Sequence, residues 1–319
     1  MSKYRERPLT FDELKTVPID DRGGKVTVEH FAKPYQKGDG VTGFINALPH
    51  LLAADSFRGV IDAIKKARAQ KRAILWGMGG HVVKCGLADI LLDLMRRGWI
   101  TGFVMNGAAS IHDFEIAIAG QTSEDVEAVL PDGRFGAAEE TGREMNTAIV
   151  EGVRDGIGMG EALGRRLETL AKPAFAPHSI VAQAYAANVP LTVHVAVGTD
   201  TPHTHPAAVG SAIGAATHHD FQLLCSIVRG LDQGGVYLNL GSAVVLPEVF
   251  LKAVSVVRNL GYPLAGFTTV NFDFLQHYRP KVNVVERPHA KSGGRGFAVT
   301  GHHELMIPLL AAALIESES

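Results

Sequence analysis

Along this chain, short apolar runs alternate with longer segments whose apolar residues recur every three or four positions. Residues 73–78 form the first run, end in Gly79-Gly80 and lead into an amphipathic stretch over 81–97. The pattern then returns several times. Residues 100–105 turn at Asn106-Gly107-Ala108 into a helix over 110–119, and a helix over 178–188 feeds a strand over 190–197. Residues 235–240 turn at Gly241-Ser242-Ala243 into a helix over 247–260, with Pro247 suited to its first turn. Two more strands are expected at 264–272 and 297–300, and a closing helix at 302–316. Apolar runs without alternation suit strands buried on both faces, and three-and-four spacing suits helices lying on them.

Other segments read as helix alone: 56–71 with Asp55 as a candidate cap, 137–155, 160–170, and the end of a long loop-and-helix segment over 199–230. Residues 1–25 read as an irregular arm and 26–319 as one domain. Strands alternating with helices predict an α/β fold, a doubly wound, mostly parallel, Rossmann-like sheet. Ligands in such sheets bind beyond the carboxyl ends of the strands, where the strand order reverses. The functional loops are therefore expected at 77–81, 106–113, 198–206, 241–243 and 271–296.

Composition narrows the function. Apolar residues make up 46% of the chain and charged residues 20%, which suits a substantial core, and the 35 glycines follow no short period. The net charge of −2 offers no basic excess for nucleic acid, and no apolar stretch is long enough to span a bilayer. The charged N-terminus lacks an apolar signal region, and Cys85 and Cys225 are too few and too far apart for a disulfide framework, so a cytosolic setting is expected.

The expected loops carry a resemblance to the deoxyhypusine synthase family. Leu75-Trp-Gly-Met-Gly-Gly-His81 with the following helix resembles the family's first nucleotide-binding turn. Val104-Met-Asn-Gly-Ala-Ala-Ser-Ile-His-Asp113 is similar to its Thr-Ala-Gly-Gly turn and acidic residues, and Leu240-Gly-Ser-Ala-Val-Val245 to its Gly-Gly-Gly-Val-Val turn. Residues 179–200 and 306–310 complete the series, which spans roughly 40–315 in order. The resemblance implies NAD between paired subunits of a homotetramer and dehydrogenation of spermidine. The alkyl group then passes through a lysine imine to a lysine of a protein substrate.

Mapped onto this chain, the resemblance assigns cofactor binding to Gly77, Gly79, Gly80, Asn106, Gly107, Ala108, Asp113, Asp200, Gly241, Ser242, Ala243, Asn271 and Asp273, and the nucleophile to Lys291. Small residues at strand exits let backbone N–H groups approach a pyrophosphate, although any tight α/β turn uses them too. One departure matters. The 274–292 stretch, acidic in the family, carries Arg279, Lys281 and Arg287 here, which would repel a polyamine and attract an anion. The histidines offer rival chemistry: His194, His203, His205, His218 and His219 crowd one region with Asp200, and His205 is a candidate acid or base. His203-Thr-His205 could also offer two nitrogens to a metal. Three functions follow: a deoxyhypusine synthase-like transferase with an altered substrate, a same-fold enzyme for an anionic small molecule, or a non-catalytic nucleotide-binding oligomer.

Overall fold

The computed structural model of the protein describes residues 2–318. An irregular arm leads into α1 (Gly40–Ala47) and α2 (Leu52–Ala69), followed by β1 (Ile74–Met78), α3 (Gly80–Lys84) and α4 (Ala88–Arg96). Next come β2 (Gly102–Asn106), α5 (Gly107–Ala119), the single turn α6 (Val126–Val129), α7 (Glu139–Arg154), α8 (Met159–Leu170) and α9 (Ile180–Ala186). The chain continues through β3 (Leu191–His194), α10 (Gly210–Val228), β4 (Val236–Leu240), α11 (Val245–Asn259) and β5 (Thr268–Asp273). It ends with the short turn α12 (Tyr278–Pro280), β6 (Arg295–Thr300) and α13 (His303–Glu316).

All six strands are parallel, in the order β3-β2-β1-β4-β5-β6. The order reverses between β1 and β4, so the fold is the doubly wound, Rossmann-like α/β sheet that the apolar pattern predicts. Successive side chains of each strand enter opposite cores. Trp76, Phe103, Leu238 and Phe272 pack with Ile64, Leu91, Phe114 and Ile307 on one face. Leu75, Val104 and Tyr237 pack with Leu224, Phe250 and Val254 on the other. No helix among the described residues is long and apolar enough to cross a membrane.

Several predicted boundaries move for local reasons. The helix expected over 81–97 is two helices, because Gly86 takes a left-handed φ of 73° between them. Asp55 is not a cap: α2 begins at Leu52, and Asp55 sits inside its first turn, 2.7 Å from the Arg58 guanidinium. Irregular chain runs past residue 25 as far as α1.

Asp220 fastens the β3 edge. Its carboxylate is buried within α10 and accepts hydrogen bonds from the amides of Val193, at 2.7 Å, and Gly160, at 2.8 Å, so one side chain joins β3 to the first turn of α8. Burial pushes its pKa from 3.8 up to about 7, partly opposed by those two bonds. The folded protein therefore holds a proton that the unfolded chain releases near pH 4, and stability falls as pH rises from about 4 to 7. Asp220→Asn keeps an acceptor for both amides without the charge. Its melting temperature should gain on the wild type across that window, and parallel curves from pH 4 to 8 would refute this account.

Candidate active site

Three strand exits meet at the point where the strand order reverses. The Gly79 amide donates to the Leu240 carbonyl at 2.9 Å, and a Cβ on Gly79 would collide with the Gly241 carbonyl. Gly80 lies against the start of α5, where a Cβ would stand 3.0 Å from both Ala108 Cβ and the His112 ring. The corners at 79–80, 107–108 and 241 thus gather as predicted, and glycine is required there for close backbone approach.

Two of the three corners are filled by the chain itself. The Asp200 carboxylate covers Gly107, and its Oδ2 is buried without a hydrogen-bond partner. The His303 ring covers Gly241, 2.7 Å from where a Cβ would stand. Its Nε2–H donates to the Phe272 carbonyl at 3.0 Å, leaving Nδ1 facing His81 Nδ1 at 3.0 Å. The helices beyond these corners are also capped internally: Asn106 accepts from the Ala109 amide at 2.9 Å, and Ser242 Oγ from Leu246 at 3.2 Å. The first corner is buried too, against Gly241, Ala108 and His112, but the amides of Gly80 and His81 begin α3 without an acceptor among the described residues. Of the three corners, the β1 turn is therefore the one whose unpaired amides would suit a dinucleotide phosphate.

Other assigned residues hold structure. Gly77 lies inside β1, where a Cβ would stand 2.6 Å from the Tyr237 hydroxyl, so it makes room for a ring stacked on Phe250. Asp113 is buried and accepts from Ser179 Oγ at 2.6 Å and from the amides of Ile180 and Val181 at 2.7 and 2.9 Å; it anchors the start of α9. Asn271 accepts from Asn239 at 2.7 Å and donates to Gln276 at 2.8 Å. Asp273 ends β5 and is buried, and Ala243 is half-buried.

Lys291 does not reach this edge. It precedes β6, next to Ser292, whose carbonyl accepts from the Gly266 amide at 2.9 Å. β5 and β6 begin together at Thr268 and Arg295, so Lys291 lies at the amino ends of the strands. The six residues of β6 set it roughly 20 Å from the crevice.

His205 also has no free nitrogen. Its Nδ1 accepts from the Ala207 amide at 3.1 Å, and its Nε2 lies 3.2 Å from Glu139, tying its loop to α7. His203 accepts from the Gly198 amide at 3.2 Å. His194 is buried in β3 beside Thr192, where burial holds its pKa down near 3. Among the described residues no group of three or more His, Cys, Asp or Glu is placed to hold a metal. The basic loop is partly engaged: Arg279 lies 3.2 Å from Glu248 and Arg287 donates to the neutral Asn283 at 2.8 Å, whereas Lys281 makes no side-chain hydrogen bond or ion pair among the described residues.

The crevice continues into a cavity of about 970 Å3 along α5, closed by residues 121–126 and α7. Five carboxylates (Glu115, Glu124, Glu140, Glu144 and Asp200) line it against three cations (Lys84, Arg143 and Lys172). Glu115 accepts from the hydroxyls of Thr122, at 2.5 Å, and Thr141, at 3.1 Å; these bonds and His112 hold its pKa down against burial, the largest single influence. The same Thr122 oxygen lies 2.7 Å from His112 Nδ1. His112, Thr122 and Glu115 therefore form a relay in which Nδ1–H donates to Thr122 and Thr122 donates to Glu115. Nε2 is then left as a base beside Gly80 and Ala108. Sequence reasoning missed Glu115 and Thr122, although the three-residue spacing of His112 and Glu115 on one helix was there to be read.

No family model and no curated protein matches the sequence. Solved structures do match the fold. A putative deoxyhypusine synthase from Entamoeba histolytica aligns at 13% identity and a TM-score of 0.52, over 90% of this chain and 96% of its own. ArgZ, an arginine dihydrolase from the ornithine-ammonia cycle in cyanobacteria, aligns at 16% identity and 0.51, over 85% of this chain and 34% of its own. AgrE, solved in a ternary complex with ornithine and NAD+, aligns at 14% and 0.51, over 82% and 33%. The chain thus spans about a third of ArgZ and AgrE and nearly all of the Entamoeba protein. At these identities the likeness establishes the shared fold.

Proposed function

We propose that the protein is an NAD-dependent enzyme that oxidises an amine, a deoxyhypusine synthase-like transferase with an altered substrate end. The observation that carries this reading is the cavity beside the β1 turn, where Glu144 is paired with Arg143 and Arg166 but Glu115, Glu124, Glu140 and Asp200 outnumber the unpaired cations Lys84 and Lys172, which favours a cationic ligand. Two of the neighbours bear on it: one is named a putative deoxyhypusine synthase and one holds NAD+ with ornithine. The rival anionic substrate loses support from Arg279, which is paired with Glu248, and from His205, whose two nitrogens are both engaged.

The unpaired amides of Gly80 and His81 would hold the cofactor phosphate. NAD bound there supplies the hydride acceptor. Glu115 and Asp200 would hold the amine, and His112 would take the proton released as the carbon beside nitrogen is oxidised. With Lys291 at the far edge, Lys84 in the cavity wall is the better candidate to attack the imine carbon, forming its own imine as the bond to the original nitrogen breaks and that nitrogen leaves as an amine. Assembly with further copies of the chain, and a protein substrate, belong to the same reading.

Saturating NAD should raise the melting temperature, and a diamine or polyamine added with NAD should raise it further and produce NADH absorbance. Glu115→Gln should weaken amine binding about tenfold while leaving the NAD shift intact. An unchanged melting temperature with NAD would overturn the reading. Stronger stabilisation by dicarboxylates than by amines would return it to the anionic rival.

A further inference from the structure

The cavity along α5 has a second character besides its charge. Ile111, Glu115 and Ile118 recur at four and three residues on one face of α5, so the acid stands in an apolar stripe. The other walls add Leu170, Val126 and Phe135. Ile111 belongs to the core, but Ile118 and Leu170 are only half-buried, and Val126 and Phe135 remain 40% and 44% exposed. These four side chains therefore offer free apolar surface to whatever enters.

The acids are not placed to hold a chain of positive charges. Glu144 is paired with Arg143 and Arg166, and Glu124 is exposed and holds the Gly136 amide at 2.7 Å. Glu140 is exposed as well, which leaves Glu115 and Asp200 as the partly buried carboxylates free for a ligand. Lys172, two residues beyond Leu170, sets a cation rather than an acid beside the apolar wall. An ammonium group laid against Leu170 or Phe135 would lose water without gaining a partner, whereas a hydrocarbon there would cover exposed apolar surface.

We propose that the amine taken by this site has a single charged head and an apolar body, an alkyl or aryl-alkyl amine rather than a polyamine. The proposal rests on the amine reading of the same cavity and names its substrate class. Glu115 and Asp200 hold the ammonium head, and the carbon body lies on Ile118, Leu170, Val126 and Phe135.

Calorimetric titration of the straight-chain amines from propylamine to hexylamine, in saturating NADH so that nothing turns over, tests it. Affinity should climb about threefold with each methylene, as hydrocarbon leaves water for a partly covered wall. The six-carbon diamine and spermidine should bind about tenfold more weakly than hexylamine, because their further charges find no partner. Phe135→Ser should flatten the climb, whereas Glu115→Gln should weaken every member of the series alike. Equal affinity along the series, spermidine binding more tightly than hexylamine, or an unchanged climb in Phe135→Ser would overturn the proposal and leave the amine reading intact. Tighter binding of ω-aminohexanoate than of hexylamine would overturn it in favour of a ligand with a carboxylate at its far end. Failure of every amine to bind would overturn both this proposal and the amine reading. A climb found in a protein whose melting temperature ignores NAD would support the proposal and remove only the cofactor.

Discussion

Asp113→Ala should destabilise the protein by about 3–5 kcal/mol, because it strips three donors of their acceptor inside the core. The Ser179 hydroxyl and the amides of Ile180 and Val181 all end on this carboxylate, and none has another route to water. Against a typical total of about 5–15 kcal/mol, that is enough to leave little folded protein at 37 °C. The pH dependence has a definite sign. Burial, opposed by the bonds from Ser179, Val181 and Ile180, raises the Asp113 pKa from 3.8 to about 6. A raised acid favours the folded state below its unfolded pKa and loses that advantage as pH climbs to 6, so the Asp113 contribution to stability falls over this window and is constant above it. Urea denaturation at pH 5 and pH 8 checks both points. A loss under 1 kcal/mol, or impaired NAD binding in a variant that still melts normally, would restore Asp113 to a ligand role.

The contrast between Asp113 and Glu115 shows where the sequence was legible. Strand runs and glycine corners are dictated locally, so the sheet, its covered faces and the meeting of Gly79, Gly80 and Gly241 could be anticipated from the pattern alone. Which side of a helix a carboxylate faces depends on tertiary packing. On α5, Asp113 turns inward to hold α9, and Glu115, two residues on, turns toward the cavity. Lys291 illustrates the other failure. Its place in the chain is the one the resemblance assigns to the nucleophile, but the helical stretch from α12 to residue 289 returns the chain to the amino end of β6. The acidic character of the site was hidden for a similar reason, since Glu115, Glu140 and Asp200 come from three separate segments that converge only in the fold. The basic 279–287 loop was conspicuous as a run, yet its arginines are spent on α11 and on their own helix.

His112→Ala should lower turnover about 10²- to 10³-fold while changing NAD affinity little. That factor is the usual worth of a positioned base, and it corresponds to about 3–4 kcal/mol of barrier. The relay supplies the reason. Thr122 holds Nδ1 as the donor nitrogen at 2.7 Å, which fixes the tautomer with Nε2 bare, and Glu115 compensates the charge that the ring gains. Thr122 is a positioning residue, and its variants should separate from that of His112. Thr122→Val frees the ring to take either tautomer and should cost turnover about tenfold, whereas Thr122→Ser should restore it. A purely structural role for Thr122 would lower the melting temperature in both variants and leave the ratio of kcat to KM unchanged. The measurement is NADH formation with the amine that gives the largest thermal shift, followed from pH 6 to 9. If His112→Ala turns over within threefold of wild type, the proton leaves by another path and the relay only stiffens α5 against residues 121–126.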